Sequence, residues 1–307
     1  MQLPTYAFFN DQVLLYSDAR VGVLTHALNY GTGVFGGIRG YWNSDEQQLF
    51  IFRPFDHYKR FLESAKLLWM TLPYTREDLV DATVELIQLE QLRTDCYIRP
   101  LAFYSDEVIG VRLHDLTPAV SIVAIPFGRY IEKEEGVHVA VSSWTRIDDN
   151  IIPARGKIIG GYVNSALART DAHRSGFDEA ILLNQDGHVS EGSVENVFLV
   201  RRGKVFTPPI SDNILEGITR ESVIVLLHDE LGMEVVERHI DRSELYLAEE
   251  IFLVGTGIQV AAVTRIDHRQ VGTGEMGSLT KNLRELFFNV VRGRVAKYVH
   301  WCHAVYA

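Results

Sequence analysis

A lysine in a small-residue setting, Pro153-Ala-Arg-Gly-Lys157-Ile-Ile-Gly-Gly-Tyr162, is followed further along the chain by Glu191 in Ser190-Glu-Gly-Ser-Val-Glu-Asn196. A desolvated lysine amine is a Schiff-base nucleophile, and a carboxylate in the same pocket tunes the electronics of a bound cofactor. Together the two residues suggest pyridoxal phosphate. Glu195 lies within the same run and either supports its turn or touches the cofactor. Leu215-Glu-Gly217-Ile218-Thr219-Arg220 precedes an apolar-periodic stretch. Backbone N–H groups and the Thr219 hydroxyl can converge on a phosphate at such a helix start. The plainer alternative makes Thr219 an N-cap and nothing more. Gly255-Thr256-Gly257 offers either a second cluster of donors or a tight turn. Arg60 is either a bidentate phosphate partner or a solvated helix residue.

These residues need a scaffold, and the sequence predicts one mixed from strands and helices. Tyr6 to Phe9 and Gln12 to Tyr16 read as a hairpin around Asn10-Asp11, with Leu49 to Phe52 as a third strand. Pro54 opens a helix over Phe55 to Trp69, and Thr75 caps another that reaches about Leu92, with Asp78 three residues on. Cys96 to Tyr104 and Ala119 to Pro126 read as strands and complete a first α+β domain, 1–126. Residues 127–136, with Gly128 and the run Glu132-Lys-Glu-Glu135, form the expected linker to a larger domain, 137–307. There Val137 to Trp144, Ala180 to Leu183, His188 to Ser190, Asn196 to Val200, Lys204 to Thr207, Glu234 to His239, Glu250 to Val254 and Val260 to Ile266 read as strands. Helices are expected over Tyr162 to Ser175, Arg220 to Leu231 and Ser278 to about Lys297.

That order lacks the regular alternation of a doubly wound parallel fold. It disposes of Gly31-Thr-Gly33-Val-Phe-Gly36 as a dinucleotide motif, because Gly37-Ile-Arg-Gly40-Tyr-Trp42 cannot be the helix such a motif must open. The 307 residues are 47% hydrophobic, which suits a soluble protein with a sizeable core. A formal charge of −10 argues against a general nucleic-acid binder. No apolar run reaches the roughly eighteen residues of a membrane span. Two distant cysteines, Cys96 and Cys302, and a start at Met1 without a charged leader predict a reduced, cytoplasmic protein. The histidines cluster only at His300-Trp-Cys302-His303, at a C-terminus expected to fray, so no metal is expected.

Six ordered segments resemble one family closely: His26-Ala-Leu-Asn-Tyr-Gly-Thr-Gly-Val-Phe35, Tyr97-Ile-Arg-Pro100, the Lys157 segment, Ser190 to Asn196, Leu215 to Arg220 and Gly255-Thr256. The chain resembles the branched-chain amino acid aminotransferases, of the fold-type IV (D-amino-acid-aminotransferase-like) class of pyridoxal-phosphate enzymes, over nearly its whole length. That resemblance implies a two-domain α+β fold with the cofactor at the domain interface. It implies reversible transamination between branched-chain L-amino acids and 2-oxoglutarate, and at least a homodimer. Lys157 matches the Schiff-base and proton-transfer lysine, and Glu191 the acid on the pyridine nitrogen. Arg60, Ile218, Thr219 and Thr256 match the phosphate positions, and Tyr162 the tyrosine on the phenolic oxygen. Tyr30, Phe35, Gly37, Tyr97, Arg99, Ile109, Val111, Phe127, Tyr130 and Gly257 match substrate-pocket positions, some reaching across the dimer. Arg39 also matches, without a direct contact assigned.

Three departures stand out. Gly36 replaces an acid, Phe127 often a tryptophan, and Gly257-Ile258-Gln259 a small-small-acid run. They are expected to touch the pocket and leave the cofactor alone. D-amino acids or (R)-primary amines are then alternative donors on the same fold.

Overall fold

The computed structural model describes residues 3–128 and 136–306. By its contacts the chain divides into two units: Met1–Gly128 with Gly156–Gly160 and Asn289–Ala307, and Arg129–Arg155 with Gly161–Phe288. The expected division was a single one, at 127–136. Residues 156–160 and 289–307 join the first unit, and the linker at 129–135 lies outside the described residues.

The first unit starts with the expected hairpin, Tyr6–Phe9 (β1) and Gln12–Leu15 (β2). Asn10 and Asp11 take φ of 43° and 65°, the left-handed backbone that a two-residue hairpin turn needs and that Asn and Asp tolerate. A short helix, His26–Tyr30 (α1), precedes Gly33–Phe35 (β3), Ile38–Asn43 (β4) and Gln48–Phe52 (β5). Cys96–Tyr104 (β6) pairs with Pro118–Pro126 (β7) along its whole length, from Cys96 opposite Pro126 to Tyr104 opposite Pro118. The sheet runs Cys302–Ala304, β5, β4, β6, β7, β1, β2, with β3 on β6. On β6, Cys96, Ile98 and Pro100 are buried while Tyr97 and Arg99 are not. Successive side chains of a strand take opposite faces, so one face of β6 is core and the other carries Tyr97 and Arg99.

Two helices belong to this unit. Pro54–Leu67 (α2) has Pro at its first position and buries His57, Tyr58, Phe61, Ser64 and Ala65. Arg76–Leu89 (α3) starts in a capping box: the Asp78 N–H donates to Thr75 Oγ1 at 3.1 Å, and the Thr75 N–H donates to Asp78 Oδ2 at 2.8 Å.

The second unit holds Val137–Val141 (β8), Glu179–Leu183 (β9), Val189–Gly192 (β10), Asn196–Arg201 (β11), Lys204–Thr207 (β12), Val235–Glu237 (β13), Glu250–Gly255 (β14), Gln259–Ile266 (β15) and Arg269–Gln270 (β16). Their order is β10-β9-β8-β15-β14-β11-β12-β13, with β16 on β15. Val137, Val139, Val197, Leu199, Ile251, Leu253, Ala261 and Val263, at alternate positions, form the core on one face. Phe198 and Phe252 stack at 5.1 Å on the other. Burial of both faces is why these strands read as nearly unbroken apolar runs. The helices are Tyr162–Arg174 (α4) and Ile218–Asp229 (α5).

The long C-terminal helix expected to about Lys297 ends sooner, at Val290 (Ser278–Val290, α6). Gly293 takes φ 72°, and a Cβ there would meet the Phe50 ring at 2.8 Å, so the chain turns against β5 instead of extending. A 3₁₀ turn, Ala296–Trp301, follows. Cys302–Ala304 then adds to the edge of β5, Cys302 opposite Phe52, so the His300-Trp-Cys302-His303 segment is held by the 3₁₀ turn and the sheet. Among the described residues no helix is long and apolar enough to cross a membrane.

Candidate active site

In the first unit Lys157 is tied at both backbone ends. Its N–H donates to Ser64 Oγ on α2 at 3.2 Å, and its carbonyl accepts the Phe35 N–H at 3.0 Å. Ser64 Oγ in turn donates to the Arg60 carbonyl at 2.8 Å, which links the lysine to the helix carrying Arg60. The glycines around this segment permit a close backbone approach: a Cβ on Gly31, at φ 66°, would lie 2.9 Å from the Gly160 Cα. Lys157 Nζ lies 4.9 Å from the centroid of the Phe35 ring. The Arg99 guanidinium stands 4.7 Å from that centroid and donates to Tyr97 Oη at 2.9 Å. Phe35 faces Leu101 across the β3–β6 pair, and Arg39 faces Tyr97 across β4–β6. Cross-strand partners share a face, so Phe35, Arg39, Tyr97 and Arg99 line one surface of the sheet.

Arg39 is buried there and donates from Nη2 to the Phe127 carbonyl at 3.1 Å and to the Gly128 carbonyl. It fixes Phe127, whose ring stands 5.3 Å from that of Tyr97. Gly37 lies on the same surface, because a Cβ on it would strike Tyr97 Oη. Gly36 does not. Its Cβ would meet the Pro100 ring at 2.5 Å on the core face, so this departure from the family pattern points away from the surface carrying Tyr97. Strand alternation thus sets Gly36 on the face opposite to Gly37.

His57, which no motif marks, is buried on α2 with an Nδ1 that has no hydrogen-bond partner among the described residues. Burial lowers its pKa well below 6.5, and the nearby charges of Arg60, Arg53 and Lys157 lower it further. The imidazole is neutral. Its position inside the apolar stripe of α2 was the available signal. Tyr30 stacks at 4.7 Å on His26, and its hydroxyl accepts the Gly110 N–H at 3.1 Å. The Gly110 carbonyl meets His26 Nε2 at 2.9 Å, which holds the loop bearing Ile109 and Val111. These two are 72% and 90% exposed. Tyr130 lies outside the described residues.

In the second unit Glu191 ends β10 and is clamped by three donors. Arg146 Nη2 reaches Oε1 at 2.9 Å; Asn196 Nδ2 and the Leu215 N–H each reach Oε2 at 3.0 Å. Arg146 and the role of Asn196 were missed, since nothing in sequence spacing brings Arg146 to Glu191. The Asn196 amide also donates to the Leu215 carbonyl at 3.0 Å, and a Cβ on Gly217 would strike its Oδ1. Asn196 thereby joins Glu191 to the start of α5. That start corrects the expectation for Thr219: Gly217 is the N-cap, no side chain caps the helix there, and Ile218 and Thr219 are its first residues. A helix N-terminus of this kind presents backbone N–H groups to an anion. Thr256 and Gly257 lie in the loop between β14 and β15, beside the turn that follows Glu191, since a Cβ on Gly255 would pass 3.5 Å from the Val194 carbonyl. Tyr162 is the first residue of α4. The structure thus groups Lys157, Arg60, Phe35, Tyr97 and Arg99 in one unit, and Glu191, Ile218, Thr219 and Thr256 in the other.

The family profile described as amino-transferase class IV matches residues 33–266, which include Lys157, Glu191 and the start of α5. The chain belongs to the class IV aminotransferases, in the family of branched-chain-amino-acid aminotransferases. It is 48% identical over 301 residues to the probable branched-chain-amino-acid aminotransferase of Aquifex aeolicus, covering 98% of this chain and 97% of that one. The branched-chain aminotransferase of Thermoproteus uzoniensis, solved with norvaline, superposes with a TM-score of 0.94 at 42% identity, over 99% of this chain and 100% of the other. That of Thermobaculum terrenum, solved in its PLP holo-form, gives 0.95 at 38% identity, over 99% of each chain.

Proposed function

We propose that this chain catalyses reversible transfer of the amino group from L-leucine, L-isoleucine or L-valine to 2-oxoglutarate, with pyridoxal 5′-phosphate as cofactor and Lys157 as the lysine that binds it. The observation that carries this reading is Lys157 itself, anchored through its own N–H and carbonyl so that the amine is delivered over the Phe35 ring. The residues present fit the cofactor: an amine for its aldehyde, a buried carboxylate for its pyridine nitrogen, and a helix start with no side-chain cap for its phosphate. When bound, the cofactor supplies an electron sink for negative charge at the substrate Cα.

The chain's own residues do the rest. Lys157 Nζ would take the proton from the substrate Cα as general base and deliver it, as general acid, to the cofactor carbon that carried the aldehyde. Glu191, oriented by Arg146, Asn196 and Leu215, holds the proton on the pyridine nitrogen. Arg60, the Ile218 and Thr219 backbone amides and Thr256 bind the phosphate, and Tyr162 the phenolic oxygen. Tyr97 and Arg99 recognise carboxylate, while Tyr30, Phe35, Gly37, Phe127, Tyr130 and Gly257 shape the side-chain pocket. Ile109 and Val111 serve the pocket of a second copy in a homodimer. Their exposure, together with that of Val21, Val23, Leu24 and Leu28, supports this, because a patch of exposed apolar side chains marks an interaction surface. The two cysteines are free, in keeping with a reduced, cytoplasmic setting. The named relatives are branched-chain-amino-acid aminotransferases, which supports these donors over a D-amino acid or an (R)-amine.

The test is Lys157→Ala. Turnover between L-leucine and 2-oxoglutarate is expected to vanish, together with the visible absorbance that the cofactor acquires on the lysine. Retention of both would refute the assignment.

A further inference from the structure

Around the turn that follows Glu191, three buried carboxyl groups stand near two guanidinium groups, Arg146 nearly inaccessible and Arg169 a third exposed. Glu191 has Arg146, as described. Glu179, at the start of β9, has Arg169 of α4, whose Nε lies 3.4 Å from Glu179 Oε2, and its own Oε1 accepts the Ala180 N–H at 2.8 Å. Among the described residues Glu195 has no cation at ion-pair distance, although it is only 2% exposed and Glu179 is wholly buried. Three acids against two arginines leave one negative charge uncompensated if all are ionised, and an unpaired buried carboxylate is among the costliest groups a protein can hold.

The cations mark which acid gives way: Glu179 has Arg169 at ion-pair distance, and among the described residues Glu195 has none. Glu195 Oε2 accepts the Val194 N–H at 3.1 Å, while Oε1 is buried without a hydrogen-bond partner. Ionised, Glu195 would bury a charge with neither a cation nor a donor on Oε1; a neutral acid buries no charge there. Glu179 Oε2 is likewise buried and makes no hydrogen bond. The same turn is closed by the Gly192 N–H donating to the Glu195 carbonyl at 2.6 Å. It is packed so tightly that a Cβ on Gly192 would lie 2.7 Å from Glu195 Oε2.

We propose that Glu195 is carried as a neutral carboxylic acid and is a positioning residue for Glu191: it fastens the Gly192–Glu195 turn from inside and adds no second charge beside the acid that meets the cofactor. Burial raises its proton affinity, Glu179 raises it further, Glu191 adds to the repulsion, and Arg169 opposes them. The functional sense is electrostatic. Glu191 has to present a single carboxylate to a pyridinium, and an ionised Glu195 nearby would compete for that positive charge. This rests on the reading of Glu191 as the cofactor's acid, and it assigns Glu195 no direct cofactor contact.

The test pairs an infrared measurement on the cofactor-free protein with spectra of the holoenzyme. At neutral pH the cofactor-free wild type is expected to show the C=O stretch of a protonated carboxylic acid, and Glu195→Gln to lack it. Absence of that band from the wild type overturns the proposal whether or not the variant folds. In the holoenzyme, Glu195→Gln reproduces the neutral acid's shape, so kcat/KM is expected to stay within about twofold and the pH profile of the visible absorbance to be unmoved. Glu195→Ala leaves the turn loose and is expected to lose about 100-fold. A Gln variant as impaired as the Ala variant, or one whose pH profile shifts, overturns the proposal. Glu191→Gln is the separate control: unchanged spectra there would refute the reading of Glu191, while the infrared band would still decide the state of Glu195.

Discussion

At the scale of single residues, the site depends on groups whose partners hold them in one state. Glu191 takes its orientation from Arg146, and both side chains are nearly inaccessible. Removing one member of a buried ion pair strands the other charge, so Arg146→Leu is expected to destabilise the protein by about 3 kcal/mol and weaken retention of the cofactor. Urea unfolding with and without pyridoxal phosphate checks both; an unaltered midpoint would remove Arg146 from the account. Lys157 and Glu191 stand out in the sequence because small-residue and acidic runs announce them. Arg146 does not, since it reaches Glu191 only through the fold. The facing of Gly36 was illegible for a related reason. A glycine's facing is invisible until the register of β4 and β6 is known, and that register turns it toward Pro100.

At the scale of elements, local chemistry was a good guide wherever a signal was strong. Asn10-Asp11 gave the first hairpin, Pro54 the start of α2 and Thr75 with Asp78 the start of α3. Thr75→Ala removes one half of a capping box and is expected to cost about 1 kcal/mol, read as a lower urea midpoint with unchanged kcat. The start of α5 misled because a threonine one turn from an apolar run looks like a cap, whereas Gly217 takes that role against Asn196. The last helix misled because its helical periodicity outlasts the helix. Packing of Gly293 on Phe50 and the open edge of β5 decided where it stops, and neither is a local property.

At the scale of the molecule, buried ionisable groups set how stability responds to pH. Glu195 has its proton affinity raised, so the native state keeps a proton that the unfolded chain releases above its ordinary value of 4.5. The unfolded state then binds fewer protons, and stability falls as pH rises from there towards the native value, by about 1.4 kcal/mol per unit for one proton. His57 acts in the opposite sense: its lowered affinity makes the unfolded chain take up a proton below 6.5 that the native state refuses, so stability falls as pH drops. Comparing Glu195→Gln with wild type cancels the His57 contribution. The variant's advantage in urea unfolding is expected to grow as pH rises above 4.5. A difference that stays flat with pH would show that Glu195 ionises normally. The two-unit mixed α/β architecture was legible from the strand and helix signals, but the return of 289–307 to the first unit depended on a strand of three residues, too short to signal itself.

All of these groups serve one claim, that Lys157 presents the cofactor to branched-chain L-amino acids. The most direct measurement is the half-reaction of the purified holoenzyme with single donors: L-leucine, L-glutamate, a D-amino acid and an (R)-amine. The account predicts rapid bleaching of the visible cofactor band by L-leucine and by L-glutamate. Bleaching by the D-amino acid or the (R)-amine alone, or no change with any donor, would contradict it.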